Sequence, residues 1–340
     1  MTAEPLLDVR NLKVEFPTRH GRLEAVSDVS LRVEPGETIA VVGESGSGKS
    51  VTAQAVLRLL PRTCRTGGSV RFNDRDLAGL TESQMRRVRG AEIAMVFQDP
   101  MTSLDPLFTI GNQLVEALRL HLPLSRRQAR QRALELLREV GLPEPERRLR
   151  AHPHELSGGQ RQRVMIAIAI ACNPALLIAD EPTTALDVTV EAQILRLIRR
   201  LQADHGTALL LITHDMGVAA EMADRIVVMY AGKVVEQGTV EEVLLDPRNP
   251  YTRALLESIP RPGLDRHSLM PVIRGTVPGL AEMPPGCRFH NRCPSALDRC
   301  RTEEPTLLEL ADGRQSRCWL HDPNTRRPDL TTSRGAGHVQ

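Results

Sequence analysis

The sequence predicts an α/β protein: a parallel sheet covered by helices, joined by a small antiparallel sheet, an inserted helical subdomain and a short C-terminal unit rich in cysteine. Three observations carry that prediction. Apolar runs of strand length at residues 39–42, 93–97, 176–179 and 209–212 show no polar alternation and are bounded by turn residues, as in strands buried on both faces. Longer segments of helical spacing separate them, and alternation of this kind builds parallel sheets. The 340 residues, with 41% apolar and 25% charged side chains, have the composition of a folded chain. At roughly 150 residues per domain, that length suggests two units.

The elements follow in order. Residues 6–16 and 23–33 alternate apolar with polar side chains and read as two strands of the antiparallel sheet. Residues 51–60 carry helical spacing. Between residues 98 and 171 the strand pattern disappears, and helical spacing at 111–122, 126–140 and 159–171 marks the inserted subdomain. Arg126, Arg127, Arg130 and Arg132 form a solvated helix face and are assigned no chemistry. Ile226-Val-Val-Met-Tyr-Ala-Gly-Lys-Val-Val-Glu-Gln-Gly238 reads as a hairpin turning at Ala231-Gly232. At Asp246-Pro-Arg-Asn-Pro250 prolines become frequent and strand signals fade. The expected divisions are therefore residues 1–248, then 249–322, then a polar flexible tail at 323–340.

Bulk properties exclude several classes. Forty-four basic against 42 acidic residues leave a formal charge of +2, which gives no electrostatic reason to expect nucleic acid as the main partner. The longest unbroken apolar stretch, residues 164–172, falls far short of the ~20 residues that cross a bilayer. Met1-Thr-Ala-Glu-Pro5 has neither a basic nor an apolar leader region, so a cytoplasmic location is expected. With 2% aromatic residues, the core is expected to be aliphatic.

Gly43-Glu-Ser-Gly-Ser-Gly-Lys49-Ser50 follows a strand and opens a helical run, the context of a P-loop. The pattern identifies the parallel sheet as a RecA-like P-loop NTPase core. Gly43, Ser45, Gly46 and Gly48 lie in a loop whose backbone N–H groups turn inward as an anion nest, and the following helix adds its positive end. Lys49 supplies a point charge to the β and γ phosphates, and Ser50 offers a hydroxyl to Mg²⁺. Lysine occurs only at Lys13, Lys49 and Lys233 in this arginine-rich chain, which makes its placement here informative. The run at residues 176–179 ends in Asp180-Glu181. Neighbouring side chains on a strand point to opposite faces, so the two carboxylates take different roles: Asp180 on the Mg²⁺ shell and Glu181 on the attacking water.

Between those motifs, Leu156-Ser157-Gly158-Gly159-Gln160 resembles the signature motif of ABC ATPases. Gln98, after Ala94-Met-Val-Phe, is similar to the family's Q-loop glutamine; Thr184-Ala-Leu-Asp187 resembles its D-loop and His214 its switch histidine. Phe16 occupies the place of its adenine-stacking aromatic. Singly, Gln98 and His214 read equally well as polar strand caps and Phe16 as core; the order of all the motifs, from about residue 6 to 245, carries the resemblance. It implies head-to-tail pairing with a second ATPase subunit, identical or related. Each ATP would lie between one P-loop and the partner's Ser157, Gly158, Gly159 and Gln160, with Asp187 at the same interface. Gln98, with Ser50 and Asp180, would reach Mg²⁺, and Gln98, Glu181 and His214 would act in hydrolysis.

Asn249-Pro-Tyr-Thr-Arg-Ala-Leu-Leu-Glu-Ser-Ile-Pro260, Arg274-Gly-Thr-Val-Pro-Gly-Leu280 and the cysteines beyond resemble the extension of dipeptide and oligopeptide importer ATPases, with nickel importers carrying related ones. That resemblance implies two permease subunits, an extracytoplasmic substrate-binding protein, and attachment to the cytoplasmic face of the inner membrane only through the permeases. Cys287, Cys293, Cys300 and Cys318 are spaced C-x5-C-x6-C-x17-C, a thiolate set suited to an iron–sulfur cluster or zinc. The wide gaps and the resemblance both point to [4Fe-4S], with zinc as the alternative; His290 and His321 are near enough in sequence to compete as ligands. Competing functions are a soluble ABC ATPase of DNA repair or translation, nickel import, and redox sensing through the cysteines. The long coiled-coil insertion of repair members and the second ATPase unit of translation members are both lacking.

Overall fold

The computed structural model describes residues 4–19, 21–184, 186–259, 273–323 and 325. The expected tail at 323–340 lies outside them apart from 323 and 325, as does Ala185 of the Thr184-Ala-Leu-Asp187 motif.

Strands β1 (Leu7–Thr18) and β2 (Gly21–Val33) pair antiparallel, from Leu7 opposite Val33 to Thr18 opposite Gly21. β3 (Thr38–Val42) is buried along its whole length and feeds the glycine-rich loop into α1 (Lys49–Val56). This helix is shorter than the expected run to residue 60, because Arg58 adopts a left-handed backbone with φ 52°. β4 (Arg65–Phe72) and β5 (Arg75–Asp76) complete the antiparallel sheet in the order β2-β1-β4-β5. Neither was expected: β4 opens Arg-Thr-Gly-Gly-Ser, exposed for most of its length, and pairs through backbone alone there.

α2 (Glu82–Val88) starts on a reciprocal cap between Thr81 and Gln84, and β6 (Ile93–Val96) follows. The inserted subdomain comprises α3 (Pro100–Ser103), α4 (Ile110–His121), α5 (Arg126–Glu139), α6 (Pro145–Arg148) and α7 (Gly158–Ala169). Then come β7 (Leu176–Asp180), α8 (Val188–His205), β8 (Ala208–Thr213), α9 (Met216–Met222), β9 (Arg225–Tyr230) and β10 (Lys233–Thr239). The β9–β10 turn falls at Ala231-Gly232, both with positive φ. α10 (Val240–Leu245), α11 (Pro250–Glu257), β11 (Leu308–Glu309) and β12 (Gln315–Ser316) finish the chain's regular elements.

The larger sheet runs β11-β12-β10-β9-β3-β8-β7-β6, parallel from β9 to β6 and antiparallel beyond. Alternation along its strands divides the core. Ala94, Leu177, Ala179, Leu209 and Leu211 face the inserted helices and α8, whereas Ile93, Ile178, Leu210 and Ile212 face α1 and the antiparallel sheet. Those two layers are aliphatic as expected, apart from Phe72 and the half-buried Phe16 in the second. A third layer departs from the expectation. It places Tyr230, Tyr251 and Phe289 with ring centroids 4.6–5.2 Å apart, joining the hairpin to residues well past position 249. Among the described residues no helix is long and apolar enough to cross a membrane.

Candidate functional site

The C-terminal ends of the parallel strands are where an open α/β sheet leaves a crevice for ligands. There the loop after β3, the carboxylates ending β7, His214 after β8 and Gln98 after β6 surround a cleft of about 510 Å³. Glu44 to Val51, Gln98, Glu181, His214 and Leu255 line it. Only glycine fits at position 43, because a Cβ there would stand 2.1 Å from the carbonyl oxygen of Met229. That close approach tucks the loop against β9.

Lys49 is 5% exposed and donates to the carbonyl oxygens of Gly43 (2.7 Å) and Glu44 (3.1 Å), which closes the loop around its ammonium. Burial draws its pKa down, opposed by the charges of Glu181, Asp180 and Glu44. The Ser50 hydroxyl donates to Asp180 Oδ1 at 2.8 Å. Burial raises the Asp180 pKa, and the neighbouring Glu181 charge adds to the rise against the Ser50 bond and Lys49. A hydroxyl and a buried carboxylate meeting here form a hard-oxygen pair, the donor type that suits Mg²⁺.

Glu181 sits at the centre. Its Oε2 accepts from Gln98 Nε2 at 3.1 Å and Thr184 Oγ1 at 2.9 Å and lies 3.4 Å from His214 Nδ1, while Oε1 lies 3.9 Å from Lys49 Nζ. The residue has φ 45°, rare outside glycine and costly by ~1 kcal/mol or more. Its N–H bonds to the Ile212 carbonyl of β8, and its own carbonyl accepts from Thr184 N–H, so the neighbouring strand and the following turn hold the bend. The arrangement orients one carboxylate in a lysine-bearing anion cradle, suited to directing a water molecule at a phosphate.

The structure thus gathers Gly43, Ser45, Gly46, Gly48, Lys49, Ser50, Gln98, Asp180, Glu181 and His214. The remaining expected residues lie apart from the cleft lining. Phe16 pairs with Leu23 in the antiparallel sheet and packs half-buried on its core. Ser157 caps α7, accepting from Gln160 N–H at 3.4 Å while its own N–H donates to Gln160 Oε1, with Gly158 and Gly159 in the first turn. Asp187 caps α8 through Val190 N–H. Thr184, of the Thr184-Ala-Leu-Asp187 motif, joins the site through its bond to Glu181. Tyr251, within the Asn249-to-Pro260 run, and Arg292 bond Glu44 of the loop, a link that nothing in the sequence signals.

Cys287, Cys293, Cys300 and Cys318, the four expected together, line one small cavity and form no disulfide. Among the described residues no three His, Cys, Asp or Glu side chains form a metal-holding set, His290 and His321 included. Burial pushes the Cys287 thiol up to about 11 and Cys318 up to about 12, and raises Cys293 as well. His290 and His321 instead bond the carbonyl oxygens of Cys287 and Arg248.

Residues 26–184 match the ABC transporter family, and residues 235–300 match the oligopeptide/dipeptide transporter C-terminal region. A probable peptide ABC transporter ATP-binding protein of Sinorhizobium fredii is 53% identical over 93% of this chain and 95% of its own. The dipeptide transport ATP-binding protein DppD of Escherichia coli is 49% identical over 96% and 99%. A dimeric ATP-binding cassette solved in a post-hydrolysis state with ADP and Pi superposes with TM-score 0.62 at 31% identity, over 69% of this chain and 98% of that one. The P-loop, the paired carboxylates and this similarity over nearly the whole length lead to one statement of kinship: the chain belongs to the ATP-binding proteins of the ABC peptide-import family.

Proposed function

We propose that this chain hydrolyses ATP to drive uptake of dipeptides or oligopeptides through separate permease chains at the cytoplasmic face of the inner membrane, fed by an extracytoplasmic binding protein. The observation that carries the reading is the Glu181 carboxylate, held by Gln98, Thr184 and His214 within 3.9 Å of Lys49. Loop N–H groups and Lys49 would bind the β and γ phosphates. Ser50 and Asp180, with Gln98, would hold Mg²⁺, which neutralises phosphate charge. Glu181 then polarises the water, and His214 stays beside it to orient the attack.

The Ser157 turn lies apart from this cleft, so ATP held here is closed over only by the corresponding turn of a second subunit. Dimerisation on ATP follows, and reopening after hydrolysis supplies the motion that a permease transmits. The test combines the chain with a companion ATPase subunit, Mg²⁺ and ATP. Association on adding ATP, followed by phosphate release, supports the proposal; a mixture that stays monomeric and releases none rejects it.

The cysteine cavity is proposed as a [4Fe-4S] site held by Cys287, Cys293, Cys300 and Cys318, with zinc as the alternative. Buried Lys233 and Arg317 and half-buried Arg288 line it against one acid, Glu304, and that positive surplus favours an anionic thiolate set. A structural staple is the chemistry such a group supplies in a segment this poor in regular elements. Anaerobic purification with iron and sulfide analysis and a broad absorption near ~400 nm would bear this out; stoichiometric zinc without that band would assign zinc.

A further inference from the structure

The second residue of the phosphate loop is fixed by the C-terminal part of the chain. Every polar group of Glu44 has a partner. Its N–H donates to the Tyr251 hydroxyl at 2.9 Å, and its carbonyl accepts from Lys49. Its carboxylate accepts from both terminal nitrogens of Arg292, Oε1 at 3.0 Å and Oε2 at 2.9 Å. A two-point fork of this kind fixes direction as well as distance.

Arg292 itself has little freedom. Its side chain is 7% exposed, its Nε donates to the Arg274 carbonyl at 2.8 Å, and its guanidinium lies over the rings of Tyr230 and Phe289 at 5.7 and 5.9 Å. Tyr251 is fully buried against the same rings. The grip on Glu44 therefore comes from a packed aromatic block.

We propose that Arg292 and Tyr251 are positioning residues for nucleotide binding: they hold the arm of the phosphate loop that Lys49 closes and keep the Glu44 carboxylate paired instead of facing an incoming triphosphate. Two effects act in one direction. Without Arg292 the loop loses an anchor, and an unpaired carboxylate on the cleft wall repels phosphate. Neither residue lines the cleft, so the burden should fall on affinity more than on the chemical step.

The inference rests on the cleft being the nucleotide site, which ATP binding by the unaltered chain tests separately. Arg292→Ala, Arg292→Lys, Glu44→Ala and the double Arg292→Ala/Glu44→Ala are made in the full chain. Each is titrated with Mg-ATP, its KM and kcat are measured with the companion subunit, and thermal unfolding is followed. Arg292→Ala should weaken ATP about tenfold, with KM rising by a similar factor and kcat falling far less. Arg292→Lys keeps the charge without the fork and should recover part of that loss. The double variant should bind better than Arg292→Ala, because its stranded carboxylate is gone.

Should Arg292→Ala fail to fold, Arg292→Lys and Glu44→Ala carry the same comparison. ATP affinity equal to that of the unaltered chain in the folded Arg292 variants overturns the proposal. So does a double variant whose loss is the product of the two single losses. If the unaltered chain itself binds no ATP, the reading of the cleft fails.

Discussion

Glu181 gathers more of the site's polar partners than any neighbour, and replacing its charge separates binding from hydrolysis. Glu181→Gln keeps the shape and can still accept from Thr184, but loses the negative charge opposite Lys49. ATP binding should therefore be at least as strong as in the unaltered chain, while phosphate release slows by about 100-fold or more, the usual worth of a general base. Single-turnover release with bound ATP checks this, and turnover at the unaltered rate would remove Glu181 from its role. The residues around it show where sequence reading ends. Lys49, Ser50, Asp180 and Glu181 were legible because each belongs to a local motif at the end of an apolar strand. Arg292 and Tyr251 were not, since they reach Glu44 across 248 and 207 positions and no local pattern records such a pairing.

Helices α7 and α8 place the expected partner-facing turn, and their contact depends on a missing side chain. A Cβ at Gly159 would come within 2.7 Å of Val190 Cγ1, on the first turn of α8. Gly159→Val should therefore force α7 and α8 apart and cost about 1–3 kcal/mol of stability. Denaturant unfolding at constant m-value checks this; an unchanged midpoint would mean that Val190 yields freely. The same variant should associate poorly on ATP, since the Ser157 turn begins that helix. Helical spacing places the starts of α5 and α7 within a residue of where Ser125 with Gln128 and Ser157 with Gln160 cap them. β4 carries no strand signal because its first residues are exposed and polar, so the ladder with β1 holds it without the alternation that marks a strand.

At the scale of the whole molecule, the proline-rich break at residues 246–250 coincides with continued packing. β12 pairs with β10 through Glu236 and Gln237, and the third core layer draws Tyr251, Leu255 and Phe289 onto Tyr230 and Val228. Glu236 is fully buried, with a pKa raised by that burial, and its carboxylate accepts N–H bonds from Arg248 (2.6 Å) and Asn249 (2.9 Å). A chain ending at residue 248 would expose the β10 edge, loosen the last turn around Glu236 and lose the three apolar side chains. At ~1.5–3 kcal/mol each, those side chains alone represent roughly 5–9 kcal/mol, against a typical total stability of about 5–15. Truncation should accordingly yield protein that aggregates or unfolds many degrees below the full chain, and the bare strand edge favours aggregation. Thermal unfolding and light scattering of the two forms decide the matter. Equal midpoints would show that residues 1–248 stand alone, and that the aromatic layer serves the phosphate loop without supporting the sheet.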